Sequence, residues 1–169
     1  MCRINRLIRS AVMLAVIAVV TVVACGCGVD DIDISGYSDE QIVITGIDGT
    51  DDSEEIVNIS QLKALDCTTV KTHSTSDKIG EVRATGPTLD TLLQQYGASQ
   101  RDFSRIEIYG RDGYDIALSQ KVIEENEIIL AFGIDGEPLD DDSVPCRIII
   151  PESDSAYWIR MVDRIKLIK

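Results

Sequence analysis

Short β-branched runs dominate this chain, and only one segment carries a helical pattern of any length. Residues 87–96, PTLDTLLQQY, place Leu89, Leu92 and Leu93 on one helical face, and Gly97 supplies a C-terminal stop. Against that single helix stand many strand-like runs. Residues 41–47, QIVITGI, alternate and are β-branched; 56–59, 68–73, 81–85, 105–109 and 115–118 read as further short strands. Residues 128–132, IILAF, are apolar on both parities, as in a strand covered on both faces, and 146–150, CRIII, predict another strand. Residues 157–169 end the chain with strand character. Two shorter helical turns are expected, one at 60–65 with Ser60 as N-cap and one at 119–125. Helices that do not alternate regularly with strands exclude a doubly wound architecture. The expectation is an α+β domain with mixed or antiparallel sheets.

The first 24 residues are not part of that domain. Arg3, Arg6 and Arg9 precede the uncharged run AVMLAVIAVVTVVA at 11–24, which is short for a membrane span. A basic n-region followed by an apolar h-region reads as a secretory signal; the alternative is a permanent N-terminal membrane helix. Val22-Val23-Ala24-Cys25 resembles a bacterial lipobox, with Cys25 as the lipidated residue and Cys27 as a poorer second candidate. The expected organisation is a lipoprotein signal peptide at 1–24, a flexible acidic tether at 25–40, and one folded domain at 41–169. The protein is then lipid-anchored on the extracytoplasmic face of the cell membrane.

Charge narrows the partners. Removing residues 1–24 takes away three arginines and no acid, so the formal charge moves from −13 to −16. Such a surface argues against nucleic-acid binding and against electrostatic adhesion to anionic headgroups.

The motifs for catalysis are sparse. His73 is the only histidine, and there is no nucleophile elbow, zinc-protease helix, phosphate loop or dinucleotide fingerprint. Asp48–Asp52 and Asp140–Asp142 are dense in hard oxygens but lack the spacing of a calcium loop, so they read as exposed acidic turns. No metal site is expected. Cys67 and Cys146 have no zinc spacing; an extracytoplasmic compartment permits a disulfide between them, and the alternative is two small buried thiols.

A series of short motifs from Gly86 onward then carries a resemblance. GPTLDTLL at 86–93, the turn Asp112-Gly113-Tyr114, LAF at 130–132 followed by DGEPL at 135–139, PCRIIIP at 145–151, and Trp158-Ile159 occur in order. Together they resemble the oxidoreductase molybdopterin-binding domain, the sulfite-oxidase-like family. The resemblance covers most of 41–169 and implies a mixed-sheet α+β fold with a few short helices. It also implies a pocket, for which His73, Ser74, Tyr114 and Arg147 are the candidate ligand-binding residues. Catalytic members of the family hold molybdenum through a cysteine thiolate in the loop after an early strand. The matching residues 70–78, VKTHSTSDK, contain no cysteine, and Cys67 lies about five residues away at about 3.3 Å per residue. No cofactor is therefore expected. The reading is a non-catalytic module for a small ligand or an envelope protein. The alternative is a molybdopterin-dependent oxidoreductase or its accessory subunit, with Thr72 or Ser74 as an oxygen ligand to a molybdenum–pterin. Residues 130–151, LAFGIDGEPLDDDSVPCRIIIP, should form the strand–turn–strand at the centre of the fold.

Overall fold

A computed structural model describes residues 29–50, 53–76 and 80–169. The leader, Cys25 and Cys27 lie outside the described residues. Among the described residues, no helix is long and apolar enough to cross a membrane.

In chain order the elements are β1 (Gln41–Thr45), β2 (Glu54–Asn58), α1 (Ile59–Lys63), β3 (Cys67–Thr72), β4 (Val82–Pro87), α2 (Leu89–Gln94), β5 (Arg105–Gly110), β6 (Asp115–Ser119), α3 (Gln120–Glu125), β7 (Ile129–Ala131), β8 (Gly133–Ile134), β9 (Glu137–Pro138), β10 (Arg147–Ile149) and β11 (Val162–Ile168). They form a five-stranded sheet in the order β2-β1-β11-β5-β6, a four-stranded sheet β3-β4-β8-β9, and the pair β10-β7. In the first sheet β1 and β11 run parallel and every other neighbour is antiparallel. The five-stranded sheet is mixed, the other two are antiparallel, and the helices are few and short, so the α+β expectation holds.

Alternation explains the five-stranded sheet. Ile42 and Ile44, Ile106 and Ile108, Ile165 and Leu167 point inward, while Arg164, Glu107 and Thr45 take the outer face. α2 lays Leu89, Leu92 and Leu93 on the same core, and Thr88 caps it by accepting from the Thr91 N–H at 3.0 Å. In β7 the two parities serve two cores. Leu130 joins the large cluster, whereas Ile129 and Ala131 join a smaller one with Ala84, Ile149 and Trp158. β10 does the same with Ile148 and Ile149. This double coverage is why both strands read as continuous apolar runs.

Gly86 is fixed by the close approach of β4 to β7. A Cβ there would lie 2.0 Å from the Leu130 carbonyl oxygen, so no larger residue fits. The centre of the fold is arranged differently from the sequence expectation. β8 and β9 make a local hairpin through Asp135 and Gly136, both with positive φ, and a loop then returns the chain so that β10 pairs with β7.

Two sequence expectations are corrected. The α1 N-cap is Asn58, not Ser60; the Gln61 side chain accepts from the Asn58 N–H at 2.7 Å. The helix starts early because Ile59 is wholly buried. The second correction concerns the tether. Within the stretch read as flexible, residues 30–40 pack onto the domain. Ile32, Ile34 and Tyr37 join the large core, and Ile32 covers Gly133, where a Cβ would meet the isoleucine Cγ1 at 2.7 Å. The isoleucines alternate with acids, a strand-like pattern that the density of aspartates obscured.

Candidate functional site

The loop after β3 is where the resemblance places a metal-binding thiolate. Here it carries hydroxyls, and they bind it to residues 152–155. Buried Thr72 accepts from the Glu152 N–H at 2.9 Å, and the Thr75 N–H donates to the Ser153 carbonyl at 3.0 Å. The buried Ser74 Oγ accepts from the N–H groups of Ser76 at 3.1 Å and Ser155 at 2.9 Å, and lies 2.9 Å from the Ser76 Oγ. Ser76 Oγ is 2.7 Å from Ser155 Oγ. Tyr114, half exposed, reaches the same segment by donating to the Ala156 carbonyl at 3.1 Å.

Of the four candidate pocket residues, the structure brings Ser74 and Tyr114 onto one short segment, 155–156. The other two stand apart from them. The His73 side chain is exposed, without a hydrogen-bond or ionic partner among the described residues, while its carbonyl accepts from the Thr72 hydroxyl at 3.5 Å. Arg147 sits on β10 and lines a separate hollow of about 220 Å³ with Ile134, Pro138, Leu139, Asp140 and Ser143. Its Nε is buried and unpartnered. Burial lowers the guanidinium pKa, Arg160 adds to the fall, and Asp140 opposes it. Arg147 forms no ion pair among the described residues.

The thiols are separate. Cys67 Sγ donates to the carbonyls of Leu62 and Lys63 at 3.6 and 3.7 Å, and Cys146 Sγ to that of Arg147 at 3.6 Å. Both are free, so of the two alternatives open for them the structure has two thiols and no disulfide. Burial, then Asp66, pushes the Cys67 pKa up to about 11; burial pushes Cys146 up to about 12. Neither is a thiolate at neutral pH. The Asp48 carboxylate is used within its own turn, accepting from the Thr50 N–H and hydroxyl, each at 2.8 Å, and these bonds hold its pKa low.

A larger cleft was not legible in the sequence. It encloses about 560 Å³ between residues 33–40, Arg111, the loop 138–144 and Met161. Tyr37 builds one wall: its hydroxyl donates to the Phe132 carbonyl and accepts from the Leu139 N–H at 3.1 Å. Arg111 is held by Glu40 at 2.7 Å. Asp33 and Asp141 complete a rim over a floor of Pro138, Leu139, Val144 and Met161. Met161 has φ 52°, a left-handed conformation that is sparsely populated for a residue with a side chain. The alternation in IDISGY is the sequence signal for this wall, and the aspartates around it give the stretch the composition of a tether.

Residues 39–169 match the family described as the oxidoreductase molybdopterin binding domain. The chain belongs to that family. Among solved structures it is similar to the sulfane dehydrogenase SoxCD from Paracoccus pantotrophus, with a TM-score of 0.60 and 16% sequence identity. The match covers 78% of this chain and 38% of the other, so this family member spans well under half of that protein. At that identity the likeness concerns fold. No curated protein matches the sequence.

Proposed function

We propose that this molybdopterin-binding-domain family member is a lipid-anchored, extracytoplasmic, non-catalytic module that holds a small ligand or a segment of an envelope protein. The observation that carries the reading is the hydroxyl network at Ser74. Where the resemblance asks for a cysteine thiolate, a buried serine spends its oxygen on two backbone N–H groups and a neighbouring hydroxyl. Molybdenum on a pterin dithiolene takes soft thiolate ligands, and the two described thiols are held protonated by burial. The unpartnered Arg147 Nε is a donor of the kind an anionic cofactor uses. Its hollow, about 220 Å³, falls below the roughly 300–1,000 Å³ usual for ligand pockets and is shared with the Asp140 carboxylate. The residues present do not fit the cofactor.

The cleft beside Tyr37 is within that size range. Among the described residues that line it, the one cation is Arg111, which is engaged by Glu40, and Asp33 and Asp141 remain on the rim. It therefore favours a neutral or cationic group on an apolar body over a phosphate. The alternative reading, a molybdopterin-dependent oxidoreductase or accessory subunit, draws its support from the family match and from the Arg147 Nε.

Metal and pterin analysis separates the two. Protein purified from a host that makes the cofactor should carry no stoichiometric molybdenum and no oxidised-pterin fluorescence. Stoichiometric metal would overturn the non-catalytic reading. For the anchor, Cys25→Ser should move the protein from the membrane to the soluble fraction; unchanged retention would count against lipidation at that residue.

A further inference from the structure

Asp30 is where the chain becomes fixed to the domain. Its carboxylate makes a two-pronged bond to one nitrogen of Arg83, at 2.8 and 2.9 Å, and its N–H donates to Thr69 Oγ1 at 3.2 Å. Lys63 Nζ then holds the Asp31 carboxylate at 2.9 Å and the Ile32 carbonyl at 2.6 Å. Ile32 and Ile34 follow into the core. The segment cannot peel away without exposing both.

That point of fixation shortens the leash. Five Cα–Cα steps separate Cys25 from Asp30, and a fully extended chain covers at most about 18 Å in that number. A 16-residue tether running to residue 40 would reach about three times as far. The folded part, about 130 residues, has a radius of gyration near 14 Å, so its diameter is roughly twice the leash. A body larger than its leash cannot turn freely above the surface to which it is tied.

We infer that the face of the four-stranded sheet around Asp30, bearing Val29, Thr69, Lys71 and Arg83, is apposed to the phospholipid headgroups. This rests on lipid anchoring at Cys25. Lys71 and Arg83 are direct cross-strand partners on this face, and Val29 is 41% exposed beside them. Lys71 pairs with Glu81 at 2.8 Å and Arg83 with Asp30, so the face is close to neutral. Chain length sets the approach, and attraction to anionic lipid contributes little. The cleft beside Tyr37 is thereby carried close to the membrane on a short arm.

The test is amide NMR of the lipidated protein in nanodiscs containing gadolinium-chelating headgroups. Signals from Thr69–Lys71 and Val82–Arg83 should broaden several-fold more than those of Ile116–Leu118 in β6. Inserting about 20 Gly/Ser residues after Gly28 gives a coil of roughly 25 Å end to end and should erase the difference. Equal broadening of the two regions in the uninserted protein, with Cys25-dependent membrane retention intact, overturns the apposed face alone. Loss of any Cys25 dependence overturns the anchor and the face together.

Discussion

Cys146 lies wholly inside the core, and burial pushes its pKa up to about 12 from an ordinary value of 9.0. Below pH 9 the thiol is protonated in folded and unfolded chains alike. As the pH rises past 9 the unfolded chain releases its proton while the folded chain keeps it, so stability falls until about pH 12. The slope for such a group approaches about 1.4 kcal/mol per pH unit. Urea midpoints of the wild type should therefore fall faster between pH 9 and 10.5 than those of Cys146→Ala, and parallel curves would show that the thiol is accessible. Arg147 presents the opposite problem, a half-buried cation with an unpartnered Nε. Replacing an ill-paired buried charge with an apolar side chain of similar length is neutral or stabilising. Arg147→Met should raise stability by about 1 kcal/mol in urea denaturation; destabilisation would mean that the guanidinium has a structural partner.

At the scale of elements, residues 30–40 are part of the domain although the family match begins at residue 39. Ile32 fills the space above Gly133, Tyr37 bridges Phe132 and Leu139, and the Glu40 carbonyl accepts from the Ile59 N–H at 3.0 Å. A chain cut at the family boundary loses all of this except the last contact. Truncating one such side chain leaves a cavity, so Ile32→Ala should cost about 2–4 kcal/mol, measured as a fall in the urea midpoint at unchanged slope. A change within about 0.5 kcal/mol, the range of an ordinary surface substitution, would mean that the segment is dispensable.

The whole molecule is tied together by two long-range features. β1 and β11, near opposite ends of the domain in sequence, lie side by side in the five-stranded sheet. β7 and β10 each send alternate side chains into the two core clusters, so neither cluster has its own wall. Unfolding should be a single transition. Trp158 fluorescence, reporting the small cluster, and far-UV circular dichroism should give the same midpoint. Distinct midpoints would show that the small cluster melts alone.

Local chemistry left its mark on the sequence wherever one element suffices. Period-2 alternation marked β1 and β5, the leucine spacing with Gly97 marked α2, and the absence of a cysteine at 70–78 marked the altered site, because each depends on residues close in the chain. GPTLDTLL and PCRIIIP carried the family resemblance as short contiguous motifs, although the need for Gly86 comes from the distant Leu130 carbonyl. Tertiary structure alone decided the rest. Whether Asp30 meets Arg83, whether Ser74 meets Ser155, and whether Cys67 lies near Cys146 depend on pairings between residues up to 81 positions apart. An acidic stretch reads as solvated tether until a glycine 101 residues further on leaves room for its isoleucine. Burial then turns two cysteines from reactive groups into inert ones, since desolvation belongs to the folded interior and to no residue by itself.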